Sequence, residues 1–203
     1  MDDQILIVGI SGLPRSGKDY FADKLIKYGY FGVSLGDIVR DTSRERHSDT
    51  VDPISVANMT ETSNWLRTNY GADFALKKAL ERFSTAKKVE NAYKGLVVWS
   101  IRAPSEVDFI LNHKGRLIWV DAPDEVRYQR YIAHLREGEV KLTLDQLIAQ
   151  EDLQWHPQPG IPKDVQMDIS YAKAQATDKI TNDTEYPEEF DKKIDEFITK
   201  LSV

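Results

Sequence analysis

Residues Gly12, Leu13, Pro14, Arg15, Ser16, Gly17, Lys18 and Asp19 satisfy every position but the last of the phosphate-binding pattern G-x-x-x-x-G-K-[ST]. In that pattern the glycines let backbone N–H groups wrap a phosphate chain, the lysine ammonium reaches the β and γ phosphates, and the closing hydroxyl holds Mg2+. Here Asp19 stands in the hydroxyl's place. A carboxylate beside an anionic phosphate chain is tolerable only with a cation between them, which makes Asp19 the candidate metal ligand. The expected nucleotide-binding set therefore starts with Gly12 to Asp19 and the adjoining Tyr20.

Phosphoryl transfer asks chiefly for positioning and charge neutralisation, so arginines from separate segments should accompany such a loop. Arg40, Arg67, Arg102, Arg127 and Arg130 are the candidates. Arg40 and Arg102 each lie just past an apolar, strand-like run, where ligands of open α/β sheets bind. Arg127 and Arg130 are three residues apart, share a helix face and could close on the same phosphates. Arg15 points either to the acceptor or to water. Two readings are open for Asp37: it orients the acceptor or acts as a base, or it caps the helix that runs through Arg40. Asp121, followed by Pro123, reads as a helix cap. Trp65, Tyr70 and Phe74 either stack on a ligand or form a helix-face core. His47, His113, His134 and His156 lie far apart and form no ligand-like pair.

These side chains need a scaffold, and the apolar pattern supplies one. Strand-like runs recur at Ile5–Ile10, Phe31–Leu35, Leu96–Ile101, Leu117–Val120 and Lys179–Thr181, each followed by helical periodicity. Such alternation implies a parallel sheet covered by helices on both faces. Phe21, Leu25 and Tyr28 mark the buried face of the helix after the loop. Pro104, Pro123 and the capping-box pattern Thr143-Leu-Asp-Gln146 mark further helix starts. Residues 36–95 read as two or three helices, through Arg40, from Ile54 to Tyr70 and from Ala72 to Tyr93, too long for a plain crossover. Residues 136–143 read as a mobile lid or a solvated turn.

The 203 residues suit one domain, and 41% hydrophobic with 30% charged residues is ordinary for a soluble globular chain. No apolar run approaches the roughly 20 residues of a membrane helix. The chain opens with Asp2 and Asp3 instead of the basic flank of a secretory signal, so a cytoplasmic protein is expected. The absence of cysteine excludes disulfides and thiolate chemistry. A net charge of -6 argues against a general affinity for nucleic-acid backbones, so an anionic ligand must be captured locally.

With these residues located, the chain resembles the nucleoside-monophosphate-kinase-like branch of P-loop kinases, including the adenylate-kinase-related and dephospho-CoA-kinase-like proteins. Val33-Ser-Leu-Gly-Asp37-Ile-Val-Arg40 resembles their glycine-aspartate stretch, whose downstream arginine grips the acceptor phosphate. Trp65-Leu-Arg67-Thr-Asn-Tyr70-Gly71 is similar to their acceptor-side segment. Ser100-Ile-Arg102-Ala-Pro-Ser-Glu106 resembles the D-V-R-x-x-x-E pattern of small deoxynucleotide kinases, and the GKD loop is similar to theirs. Ala122-Pro-Asp-Glu125 leading to Arg130 resembles the lid-bearing helix, and Thr181-Asn182-Asp183 the turn that touches the donor base. Two positions depart from the family: Ser100 replaces an aspartate, and His134 stands where a second lid arginine is usual.

The resemblance implies a three-layer α/β/α P-loop fold with a five-stranded parallel sheet in a single domain. Its core would be residues 1–35, 96–135 and 170–203, with an acceptor-side helical insertion at 36–95 and a lid region at 136–169. It implies an ATP-dependent transfer of the γ-phosphate, with Mg2+, to a small phosphate-bearing acceptor, a nucleoside or deoxynucleoside monophosphate. The alternatives are dephospho-CoA as acceptor or a nucleotide-binding module without catalysis. Lys18, Asp37, Arg102 and Arg130 would be catalytic, Arg130 and Asn182 would join the loop in binding nucleotide, and Asp37, Arg40, Arg67 and Arg102 would bind the acceptor. No nucleic-acid or membrane partner is expected, and the oligomeric state stays open.

Overall fold

The computed structural model of the protein describes residues 5–90, 92–135, 141–156, 160, 162, 166–184 and 187–201. In chain order the elements are β1 (Ile7–Ser11), α1 (Lys18–Lys27), β2 (Phe31–Ser34), α2 (Leu35–Arg46), α3 (Val56–Tyr70) and α4 (Phe74–Val89). They continue with β3 (Leu96–Trp99), α5 (Pro104–Asn112), β4 (Arg116–Asp121), α6 (Asp124–Ala133), α7 (Leu144–Trp155), α8 (Ile169–Gln175), β5 (Asp178–Thr181) and α9 (Pro187–Leu201). All five expected strands form, with ends shifted by one or two residues. They pair in parallel in the order β2-β3-β1-β4-β5, so β1 lies centrally, with Gly9 opposite Val98 on one side and Leu117 on the other.

Alternation along the strands sends successive side chains to opposite faces of the sheet. Ile7, Leu96, Val98 and Leu117 pack with Leu76, Ala79 and Phe83 of α4, Val107 and Ile110 of α5, and Ala172 of α8. Val8, Ile10, Val97, Ile118 and Val120 pack on the other face with Phe21 and Leu25 of α1 and Phe190, Ile194 and Phe197 of α9. Both faces are therefore dry, which accounts for strands that read as nearly continuous apolar runs. Tyr28 departs from the expected buried stripe of α1. It is 40% exposed, and its hydroxyl donates to Asp195 of α9 at 2.9 Å.

Local chemistry sets the helix ends. Thr143 and Gln146 form the expected reciprocal cap of α7, with Gln146 N donating to Thr143 Oγ1 and Thr143 N to Gln146 Oε1. The cap of α2 is Ser34, whose Oγ accepts from Asp37 N at 3.1 Å, so Asp37 is inside the first turn and not the cap. Asp121 does not cap α6 either: it closes β4, and Pro123 occupies the cap position. The insertion between β2 and β3 is built of α2, α3 and α4, the last ending at Val89, before the expected Tyr93. Arg136 and most of the proposed lid turn lie outside the described residues.

Candidate phosphate-binding cleft

The loop between β1 and α1 takes a shape that demands its glycines. Gly12 has φ 152° and Gly17 has φ 102°. A Cβ on Gly12 would lie 2.5 Å from the Val120 carbonyl oxygen, and one on Gly17 would lie 2.3 Å from Asn182 Nδ2. Arg15, at φ 64°, accepts a left-handed conformation without being glycine, a local strain of about 1–3 kcal/mol of the kind held at functional loops. Gly17 caps α1 without using a side chain, so the first-turn N–H groups and the positive end of the helix dipole remain available to an anion. Lys18 is 5% exposed, and its Nζ lies 3.6 Å from Asp19 Oδ2, whose side chain is largely exposed. Ser16 Oγ is buried with no hydrogen-bond partner.

Arg130 reaches this loop from α6. Its guanidinium donates to the carbonyls of Arg15, Asn182 and Thr184 and to Asn182 Oδ1, at 3.1–3.3 Å. Every one of these partners is neutral. Partial burial lowers the Arg130 pKa by disfavouring its charged form. Asn182 Nδ2 in turn donates to the Ser16 carbonyl at 2.9 Å.

Across the cleft from the P-loop stand Arg40, Arg67 and Arg102. Arg102 Nη1 donates to the neutral Oε1 of Gln154 at 2.7 Å. Its pKa is also depressed, first by burial and further by Arg67 and Arg40, while Glu106 and Asp19 pull the other way. Arg102 therefore lies within electrostatic reach of both the insertion and the P-loop. Arg67 is buried and paired with Glu106 at 3.3 Å, and the other oxygen of Glu106 accepts from the backbone N–H groups of Arg102 and Ala103. Arg40 pairs with Asp37.

One cleft of about 1980 Å³ joins the two sides. Pro14, Arg15, Gly17, Lys18, Asp19 and Tyr20 line it on the P-loop side, with Arg130 and Asn182. Asp37, Arg40, Arg67 and Arg102 line it opposite, together with Ser100 and His134, the two positions that depart from the kinase pattern. Gly12, Leu13 and Ser16 form the loop behind this surface and are not among the lining residues. Ser100 adopts φ 66°, a left-handed turn at the end of β3.

Several expectations change at this point. Arg127 does not join Arg130 over a ligand. It is 2% exposed, held by Glu151 at 2.5 Å and Asp124 at 2.7 Å, and donates to the Pro14 carbonyl. Two carboxylates have consumed its charge. The Tyr20 hydroxyl is spent on Asp191 of α9 at 2.6 Å. Arg15 stacks over the Tyr131 ring, 5.9 Å from its centroid. Trp65, Tyr70 and Phe74 form a chain of ring contacts at 5.1–5.6 Å, with Arg46 over Trp65, and none of the three lines the cleft. Sequence reasoning missed Glu151 and Gln154 of α7. Their only local signal is a helical stripe with Leu147, which reads as ordinary amphipathicity.

A parallel sheet in this order, a glycine-shaped loop feeding a helix N-terminus, and a cleft walled by arginines define a P-loop domain of kinase-like fold. The chain belongs to the AAA_18 family, described as an AAA domain, which it matches over residues 8–145, and to the UPF0200 proteins. A UPF0200 protein of Methanothrix thermoacetophila is 30% identical over 66% of this chain and 68% of its own length. Another, from Thermococcus kodakarensis, is 28% identical over 97% of this chain and the whole of that protein. Among solved structures, a shikimate kinase from Bacteroides thetaiotaomicron matches with TM-score 0.53 at 14% identity, covering 98% of this chain and 99% of that one. A dephospho-CoA kinase from Campylobacter jejuni matches with TM-score 0.53 at 17% identity, covering 97% and 96%. At these identities the likeness concerns the fold.

Proposed function

We propose that the protein is an ATP-dependent phosphotransferase acting on a small acceptor that already carries a phosphate, with nucleoside and deoxynucleoside monophosphates as the leading class. The observation that carries this reading is the pair Arg102 and Arg130. Among the described residues both guanidinium groups have only neutral hydrogen-bond partners, and both line the cleft that contains Lys18. A half-buried guanidinium whose hydrogen bonds go to neutral groups keeps positive charge for an anion, Arg102 sharing the nearby Glu106 with Arg67. Arg130 sits with the P-loop on the donor side and Arg102 on the acceptor side.

In this reading the P-loop amides, Lys18 and Arg130 hold the phosphate chain of ATP. Arg102, supported by Arg67 and Arg40, holds the acceptor phosphate in line with it. The bond from the γ-phosphorus to the β–γ bridging oxygen breaks, a bond from an acceptor phosphate oxygen to that phosphorus forms, and ADP departs. The residues present fit a divalent cation held mostly by phosphate oxygens and water. Asp19 offers one exposed carboxylate, and no group of three or more His, Cys, Asp or Glu is assembled among the described residues. When bound, Mg2+ would supply neutralisation of phosphate charge. An ionised phosphate acceptor needs no base, and this agrees with Asp37 being engaged by Arg40. A hydroxyl acceptor such as dephospho-CoA would need that carboxylate free to take a proton.

The test is ADP formation by the purified protein with ATP, Mg2+ and, in turn, a panel of monophosphates and dephospho-CoA. Monophosphate-dependent ADP supports the proposal. Tight ATP binding without acceptor-dependent turnover overturns it in favour of a binding module, and turnover with dephospho-CoA alone moves the acceptor class. A Lys18→Ala protein with full turnover would remove the P-loop from the mechanism.

A further inference from the structure

Helix α7 touches both halves of the cleft through side chains one turn apart. Leu147, Gln150, Glu151 and Gln154 form its cleft-facing stripe. Glu151 Oε1 accepts from Arg127 Nη1 at 2.5 Å, and the same nitrogen of Arg127 donates to the Pro14 carbonyl of the P-loop at 3.3 Å. Gln154 Oε1 accepts from Arg102 Nη1 at 2.7 Å. The backbone of Arg102 is fixed as well, its N–H by Glu106 and its carbonyl by the N–H of Asp168, both at 2.8 Å. The end of the helix is anchored next door. Trp155 meets the buried Trp119 of β4 edge-on at 6.0 Å, and the Lys173 ammonium lies 5.6 Å from its ring centroid.

The two contacts differ in charge, and the difference matches their places. Arg127 has two carboxylate partners and faces the loop backbone, where leftover charge has no use. Arg102 has an amide partner and lines the cleft with Arg40 and Arg67. An amide aligns a guanidinium without cancelling its charge.

We infer that α7 is a positioning strut for both substrates, in which Glu151 sets the P-loop through Arg127 and Gln154 aims Arg102 while leaving its charge to the acceptor's anionic group. The inference rests on the phosphotransfer reading for its purpose. Its geometric content is separate: a misplacement of about 1 Å at either end would cost about a hundredfold in a reaction that depends on alignment.

The experiment compares wild-type protein with Gln154→Glu, Gln154→Leu and Glu151→Gln. Calorimetry measures MgADP affinity. Inorganic phosphate, titrated into MgADP-saturated protein while the Arg102 Nε–H NMR signal is followed, reports the acceptor side. Gln154→Glu preserves the contact but pairs the charge, so phosphate affinity should fall about tenfold, and Gln154→Leu about threefold, with MgADP affinity and melting temperature unchanged. Glu151→Gln should do the reverse, weakening MgADP about tenfold and phosphate little. A merely structural role would move both affinities together, and for the Gln154 variants would lower the melting temperature; Glu151→Gln lowers it in either case by leaving the buried Arg127 short of charge. The strut is overturned if the affinities fall together, if Gln154→Glu binds phosphate as the wild type does, or if phosphate leaves the wild-type Arg102 signal unmoved. Failure of the kinase reading appears elsewhere, as absence of acceptor-dependent ADP from a wild-type protein whose variants still show the split.

Discussion

The side-chain amide of Asn182 donates to the carbonyl of Ser16 at 2.9 Å, fastening the residue after β5 to the P-loop across 166 positions of sequence. Asn182 is 7% exposed, and its other groups are also engaged. Its N–H donates to the Asp121 carbonyl at 2.7 Å, and its carbonyl and Oδ1 accept from Arg130. One residue thus joins β4, the P-loop and the donor-side arginine. The family resemblance led to the expectation that this turn touches a donor base; in the structure one of the two amide N–H groups goes to the loop backbone.

Asn182→Ala should therefore weaken nucleotide binding by loosening the loop and Arg130 together. Leaving the Ser16 carbonyl and the Arg130 guanidinium short of partners should cost about 1–3 kcal/mol. Calorimetry with MgATP and a denaturant titration would both register the loss. Unchanged MgATP affinity would exclude a role for this tether.

Gly17→Ala should be worse than an ordinary loop substitution. The position combines φ 102° with a Cβ that would lie 2.3 Å from Asn182 Nδ2. Strain of about 1–3 kcal/mol from the backbone alone adds to displacement of the amide. Thermal unfolding should show a lower midpoint, and MgATP binding should be lost even where the variant folds.

Arg102→Ala and Arg130→Ala should separate the two substrates. Removing a transition-state charge clamp costs on the order of a hundredfold or more in turnover. Arg102→Ala should impose that loss while MgATP affinity stays near wild type, whereas Arg130→Ala should lower MgATP affinity itself. Steady-state kinetics alongside direct binding would show the split, and equal loss of MgATP affinity in both would contradict the assignment of sides.

Asp19→Ser restores the hydroxyl of the usual P-loop. The wild-type carboxylate adds negative charge near the phosphates, so nucleotide binding should depend more steeply on Mg2+ in the wild type than in the variant. Calorimetry across a range of Mg2+ concentrations gives the two slopes. Identical slopes would remove Asp19 from the cation's surroundings.

The pH dependence of stability should carry a signature of Asp191. Its pKa is lowered, first by the hydrogen bond from Tyr20 and then by Lys24, so its charged form is favoured in the folded state. A depressed carboxylate contributes stability above its ordinary pKa and loses it as pH falls through the lowered value. Asp191→Asn should thus melt below wild type at neutral pH, and the gap should close across the acidic range beneath the usual carboxylate value. A gap independent of pH would mean that Asp191 acts through shape instead of charge.

Much of the donor half was legible because it is local. Gly12 to Asp19 are contiguous, the strand runs announce themselves as apolar stretches, and the cap at Thr143 and Gln146 is a four-residue pattern. Even Asp37 misled only in part, since its true partner, Arg40, is three residues away on the same helix. The fates of the arginines were hidden. Arg127 and Arg130 look equivalent in sequence, yet one is neutralised by Glu151 from another helix while the other, among the described residues, meets carbonyls and an amide.

By itself, then, the sequence determined the phosphate loop, the parallel sheet and the helical insertion after β2, because backbone conformation and apolar periodicity act over a few residues. Only the tertiary structure decided which positive charges remain for a ligand. A guanidinium's availability depends on whether carboxylates or neutral groups pack against it: Arg127 meets Asp124 of α6 and Glu151 of α7, whereas Arg130 meets carbonyls and an amide from the P-loop and the turn beyond β5.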